Sequence, residues 1–231
     1  MPGEFRSSQN WIGGSSPGNA SFVPPTHENV PMLMSDLERF AHNEALHLPP
    51  LLKVALMHYQ FETIHPFLDG NGRIGRLMIT LYLVSMGILK KPVLYLSVYL
   101  ERNRSVYYEQ LTNVRERNTM DEWLLFFLEG VAETAKQGVQ TFDQILNFQK
   151  DWEQAIQSWA QHSTNGTALF RYLFQHPAVN AQGVAEAIGV SVPTAYKLVK
   201  YFVEKGLLRE ITGAKRGQLY LFDPYLKIYR S

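Results

Sequence analysis

Twelve residues, His65-Pro66-Phe67-Leu68-Asp69-Gly70-Asn71-Gly72-Arg73-Ile74-Gly75-Arg76, constrain this chain more than any other stretch, because they join two helical patterns through a short glycine-rich loop. Upstream, Leu51, Val54, Ala55, His58 and Phe61 recur at helical spacing. Pro66 disfavours the α conformation at the residue before it, so the first helix is expected to stop at about His65. Downstream, Ile74, Leu77, Met78, Leu81 and Val84 predict the apolar face of a second helix, with Gly87 as its stop.

A loop of this kind has a chemical meaning. Glycines on both sides of Asn71 let the backbone adopt φ > 0 and put no Cβ in the way of a ligand. Successive N–H groups then converge into a nest where the next helix presents its unpaired donors and positive dipole end. Arg73 and Arg76, three apart in the first turn, share a face and lean back toward the loop. Two guanidiniums and a ring of amides suit a polyphosphate better than a single carboxylate. Asp69 supplies an oxygen of the kind that holds Mg²⁺ when phosphates complete its shell, and His65 supplies a group that takes a proton near neutral pH.

Simpler readings exist for each piece. A histidine before a proline is ordinarily a helix-end residue, and Asp-Gly-Asn-Gly is ordinarily a surface turn. An EF-hand does not fit, because its fifth position would be Arg73 and Ile74 replaces its glycine. No G-x-x-x-x-G-K-[ST] phosphate loop occurs. Base, metal ligand, nest and two arginines within twelve residues outweigh the turn.

The string HPFLDGNGRIGR resembles the signature of the Fic family, H-x-F-x-[DE]-G-N-G-R-x-x-R, at every specified position. That resemblance implies transfer of AMP from ATP to a protein hydroxyl, with release of pyrophosphate. Position by position, it implies that His65 is the general base toward a target Tyr, Thr or Ser. The resemblance likewise implies that Phe67 anchors the loop in the core and that Asp69 binds Mg²⁺ through the α- and β-phosphates. By the same resemblance Gly70, Asn71 and Gly72 would form the anion hole, while Arg73 and Arg76 would hold the β- and γ-phosphates. The related Doc branch, which phosphorylates, carries a lysine where this chain has Gly72, so nucleotidyl transfer is the expectation.

The flanking sequence is organised around this centre. Phe5–Ile12 reads as an extended strand, Gly13–Asn19 as a turn and Ala20–Val23 as a returning strand. F-R-S-S-Q-N-W-I-G-G resembles the family's flap, a hairpin over about 5–23 that docks the target protein by strand addition. Pro24, Pro25 and Pro31 are expected to keep the next residues irregular, and Met32–His47 to form a helix. Pro92–Leu100 reads as a loop. The helix after it resembles the family's adenine wall, for which Tyr107 and Tyr108 are the candidates. Trp123–Leu128 is an apolar block expected to close the core.

Charge shifts along the chain. Residues 1–160 carry 13 Lys and Arg against 17 Asp and Glu, a net charge of −4, and residues 161–231 carry 9 against 4, or +5. The basic part resembles a winged helix: a helix ended by Pro177, a helix–turn–helix string A-E-A-I-G-V-S-V-P-T-A-Y-K-L-V, and two strands bracketing Gly213–Gly217. Lys197, Lys200, Lys205, Lys215 and Arg216 are its candidate phosphate contacts, yet no Arg, Asn or Gln lies between Thr194 and Glu204 to read base edges.

The expected fold is therefore mainly α. Residues 1–135 form a Fic/Fido catalytic domain with its flap, 136–165 a helical connector and 166–231 a winged helix-turn-helix domain. ATP as substrate, Mg²⁺ and a target protein are the expected partners, with a homodimer and DNA as secondary ones. Two alternatives are a DNA-binding regulator whose core senses nucleotide, and an enzyme using another nucleotide donor. A cysteine-free chain with no apolar leader or membrane span fits a cytoplasmic protein. The family's inhibitory motif [ST]-x-x-x-E-[GN] does not occur in residues 1–231. An unrestrained form, shortened upstream or inhibited in trans, is the corresponding expectation.

Overall fold

The structure, a computed structural model, describes residues 3–159, 163–214 and 217–229. It divides into two compact units, Met1–Gly138 and Val139–Ser231. Neither contains a helix long and apolar enough to cross a membrane among the described residues.

The first unit is built around α2 (Pro50–Ile64), which packs against both α1 (Val30–His42) and α3 (Asn71–Ser85). Eight α2 residues are buried, from Lys53 to Ile64, so the helix is enclosed on more than one side and behaves as a core element rather than a surface one. Trp123, at the start of α6 (Met120–Gln157), is fully buried and donates its indole N–H to the Ala55 carbonyl at 3.1 Å. Phe126 and Phe127 are buried with it, closing the core. Lys53 directs its charge at the Asn43 carbonyl, 3.0 Å away at the end of α1.

Several expectations change here. Pro31 lies inside the first turn of α1, where its missing N–H costs nothing, and the helix ends at His42 instead of His47. Asn43 turns the chain out, its side chain accepting from the Ala45 amide at 3.0 Å. The loop expected over Pro92–Leu100 is half helix, α4 (Leu96–Arg102), before α5 (Arg104–Arg117). On α3 the buried face is Gly75, Ile79, Tyr82 and Leu83, while Leu77 and Leu81 are exposed. Two apolar stripes compete on that helix, and the one bearing Gly75 wins because only it permits the closest approach to α2. The flap is a single antiparallel bridge, Ile12 to Phe22, in place of two strands. Side chains take over the ladder's role nearby: Gln9 donates to the Pro24 carbonyl at 2.9 Å and Asn10 to the Phe67 carbonyl at 3.1 Å.

The second unit holds the later part of α6, α7 (Ser163–Gln175), α8 (Ala181–Ile188), α9 (Val192–Glu204) and α10 (Asp223–Ile228). Its sheet has the order β1 (Ala178–Val179), β3 (Tyr220–Leu221), β2 (Arg209–Glu210), all antiparallel. The β2–β3 pair was expected; β1, which directly follows Pro177, is too short to carry a sequence signal. Phe148, Trp152 and Ile156 of α6 pack on this unit's core of Phe170, Leu173, Phe202 and Phe222. Asn180 caps α8, accepting from the Gly183 amide at 2.7 Å, and Ser191 caps α9 after a turn through Gly189. Lys215 and Arg216 lie outside the described residues.

Candidate functional site

The backbone around His65 is under tension. The α2 helix ends with His65 itself in the left-handed region, at φ 50° and ψ 61°, a conformation costly for a residue with a Cβ. Its amide still closes a bond to the Phe61 carbonyl at 2.9 Å. The buried Arg6 holds the exit in place: its Nε donates to the His65 carbonyl at 3.0 Å, its Nη2 to the Pro25 carbonyl, and its amide to the Pro66 carbonyl at 2.8 Å. Asn71, also buried, clasps the loop from the other side, accepting from the Phe67 amide at 2.8 Å and donating to the Phe67 carbonyl at 2.7 Å. Phe67 packs between Phe5 and Phe61, with ring centroids at 5.9 and 6.4 Å.

Past this clasp, Gly70 takes φ 84° and starts α3, whose first-turn amides have no acceptor within the helix. A Cβ at Gly72 would lie 3.3 Å from the Arg76 Nη1, so glycine there lets the guanidinium rest across the loop. An open, mostly polar cleft of about 340 Å³ results, lined by His65, Asp69, Gly70, Asn71, Gly72, Arg73 and Arg76, with Leu68, Glu101, Arg104 and Tyr108. Sequence reasoning did not single out the last group's Leu68, Glu101 and Arg104. They come from the loop and from the α4–α5 junction, which the resemblance to the adenine wall covers while pointing to the tyrosines alone.

Of the two adenine-wall candidates, Tyr108 lines the cleft, half exposed, with the Arg104 guanidinium 5.6 Å from its ring. Tyr107 does not. It is buried in the core, its hydroxyl 2.9 Å from the His58 Nε2, because residues adjacent on a helix face different sides.

Charges in the cleft are arranged for an anion. Asp69 Oδ2 pairs with Arg73 at 3.1 Å on the exposed rim, which leaves its other oxygen uncommitted in that pair. The described residues hold no cluster of three or more His, Cys, Asp or Glu that would cage a metal by themselves. A single carboxylate beside a phosphate-binding nest does fit Mg²⁺, which keeps most of its shell for phosphate and water. His65 is held below its ordinary pKa, chiefly by desolvation, with Arg6 and Arg115 adding to the fall and the Glu62 main chain opposing it. A neutral imidazole able to accept a proton follows.

Residues 1–83 match the model of the Fic/DOC family. The chain is 36% identical over 115 residues to a protein adenylyltransferase Fic of Drosophila erecta, covering 49% of this chain and 21% of that protein. It is 31% identical over 168 residues to the protein of that name in Drosophila grimshawi, covering 72% of this chain and 30% of the relative. It thus spans 21 to 30% of the length of these curated relatives. A crystal structure of a Fic family protein from Desulfovibrio desulfuricans G20 shares the fold at a TM-score of 0.55 and 23% identity, over 95% of this chain and 62% of the other.

Proposed function

We propose that this chain, which carries a Fic/DOC family domain over residues 1–83, is a protein adenylyltransferase that moves AMP from ATP to a Tyr, Thr or Ser hydroxyl of a target protein. The observation that carries the reading is the convergence of His65, Arg73, Arg76 and the first turn of α3 on one polar cleft. In the reaction the target oxygen forms a bond to the α-phosphorus, the bond from that phosphorus to the β-phosphate oxygen breaks, and pyrophosphate leaves. The hydroxyl proton passes to His65. Arg73, Arg76 and the amides of Gly72 and its neighbours receive the charge that gathers on the β- and γ-phosphates. Asp69 would hold Mg²⁺, which when bound neutralises phosphate charge; releasing Arg73 to the phosphates requires the exposed Asp69–Arg73 pair to open, a cost of about 1 kcal/mol or less.

Tyr108 would stack on the base, and the Ile12–Phe22 bridge would receive the target segment. Arg115 supports that bridge from α5, its guanidinium 3.8 Å from the Phe22 ring centroid. The basic second unit is read as a winged helix on the order of α7, α8, α9 and the β2–β3 pair. DNA is its lesser partner, since α9 tethers Lys200 over the Tyr196 ring at 5.5 Å and offers no base-reading Arg, Asn or Gln.

Incubation with ATP, Mg²⁺ and a cell lysate, followed by peptide mass spectrometry, tests the reading. The expected result is an AMP adduct on a Tyr, Thr or Ser, absent with His65→Ala. A different nucleotide mass would change the donor. No adduct from any nucleoside triphosphate, or one that persists in His65→Ala, would end the proposal.

A further inference from the structure

Beneath the cleft lies a carboxylate that the mechanism above does not use. Glu62 is one turn before His65 on α2 and is only 7% exposed. Its Oε1 is buried with no hydrogen-bond partner, and its Oε2 is 4.0 Å from the His65 Nδ1. That Nδ1 is itself buried and makes no well-formed hydrogen bond, with the Glu62 main chain as its other polar neighbour. An unsatisfied buried carboxylate oxygen is expensive, and an unpartnered ring nitrogen beside the same carboxyl group asks for a reason.

The fold makes room for it deliberately. A Cβ at Gly75 would clash with Glu62 Oε1, and would lie 3.1 Å from Phe61 Cδ1 and 3.2 Å from His58 Cε1. The Gly75 notch in α3 is therefore the seat of the Glu62 carboxyl, and it explains why α3 buries the stripe that bears this glycine. Charged and titratable groups face Glu62 from each packed element: His58 and His65 on α2, Arg76 on α3, Arg115 and Tyr107 on α5, with Arg6 behind His65.

We propose that Glu62 is the positioning residue of His65: its carboxylate takes the Nδ1–H of the imidazole, which leaves Nε2 bare and aimed at the cleft to accept the proton of the target hydroxyl. The inference rests on the adenylyltransferase reading for its consequence in catalysis and on the geometry alone for the tautomer. The 4.0 Å separation is long for a hydrogen bond, as catalytic pairs commonly are before substrate closes the site. Once His65 takes the proton, an ionised Glu62 stabilises the imidazolium, in the manner of a carboxylate behind a catalytic histidine. The carboxyl itself is pushed up to about 7, mainly by desolvation against the pull of Arg76 and Arg115. The carboxyl and the imidazole face each other across 4.0 Å, so the charge on one bears on the proton of the other and the acid limb of the rate profile belongs to the pair.

The test compares wild type, Glu62→Gln and His65→Ala, each checked for folding by circular dichroism. For Glu62→Gln we expect kcat for AMP transfer to fall tenfold or more, KM for ATP to stay within twofold, and the acid limb to shift. An unchanged kcat, or a KM that rises in step with the loss, would overturn the proposal, the latter by tracing the effect to Arg76. Nitrogen NMR of His65 decides the tautomer without any turnover. Nδ1–H in the wild type and a lower imidazole pKa in Glu62→Gln are expected, whereas Nε2–H or an unmoved pKa refutes the pairing. If the wild type transfers no nucleotide, the functional reading fails while the NMR result still judges Glu62; should Glu62→Gln not fold, Glu62→Asp replaces it, and an unmoved imidazole pKa there refutes the pairing.

Discussion

Among the described residues α2, α5 and α8 each end on a residue in the left-handed conformation, and the contrast between α8 and α2 separates structure from function. The α8 helix stops at Gly189, φ 71°, where a missing Cβ makes the turn free of strain and nothing more is asked of it. The α2 helix stops at His65, φ 50°, followed by Pro66, where both residue type and successor disfavour the geometry. Around Gly189 the chain needs only the Val190 amide bonded back to the Ala185 carbonyl. Around His65 it needs Arg6, Asn10 and Asn71. Strain of about 1–2 kcal/mol is kept where a side chain must be delivered to a cleft and is avoided where the turn only has to turn.

The contrast breaks most visibly at His65. Replacing it with glycine relaxes the backbone, so the unfolding free energy should stay within about 1 kcal/mol of wild type, while transfer falls about 10²–10⁴-fold. Urea unfolding and a labelled-ATP assay read the two effects separately. A variant that keeps its activity would mean the strain serves no chemistry.

Next in size is the clamp. Arg6→Ala strips the part-buried carbonyls of His65 and Pro25 of a charged donor and should cost about 3 kcal/mol in urea unfolding. A loss under about 0.5 kcal/mol would show that His65 holds its conformation unaided.

The two caps also differ in what protons do beneath them. Glu62 sits at about 7 against an ordinary 4.5, so the folded state binds its proton more tightly, and stability falls as pH rises from about 4.5 to 7. His58 runs the other way: pulled down to about 4 by full burial, it makes stability fall as pH drops from 6.5 toward 4. The two effects oppose each other below 6.5, and only the Glu62 penalty grows between 6.5 and 7. Unfolding free energies across that range should show the alkaline loss in wild type and its absence in Glu62→Gln. Equal slopes would contradict the burial of that carboxyl.

The smallest effect belongs to α8. Gly189→Ala should cost about 1 kcal/mol and leave transfer unchanged. An equal loss of transfer would remove the distinction between the two caps.

How much of this was legible in the sequence follows the same division. The ends of α2 and α3 were legible because Pro66 and the glycines of the loop act locally, through φ and ψ. The buried face of α3 was not: Ile74, Leu77 and Leu81 outscore Gly75 on any hydrophobic count, and only the packing on Glu62 shows that the notch matters more. Glu62 itself reads as a solvent-facing charge on an apolar helix, and Arg6 as one polar residue in an irregular stretch. Their roles depend on partners 13 and 59 positions away, Gly75 and His65. The Tyr107–Tyr108 pair shows the limit of resemblance as well, since adjacent tyrosines match a segment equally while only Tyr108 reaches the cleft.

A crystal structure with a non-hydrolysable ATP analogue and Mg²⁺ tests the central claim most directly. The expected result is β- and γ-phosphates against Arg73, Arg76 and the first-turn amides of α3, the Asp69–Arg73 pair opened, and the His65 Nε2 facing the α-phosphorus. A nucleotide bound elsewhere, or the phosphates on this turn with the imidazole facing away, would contradict it.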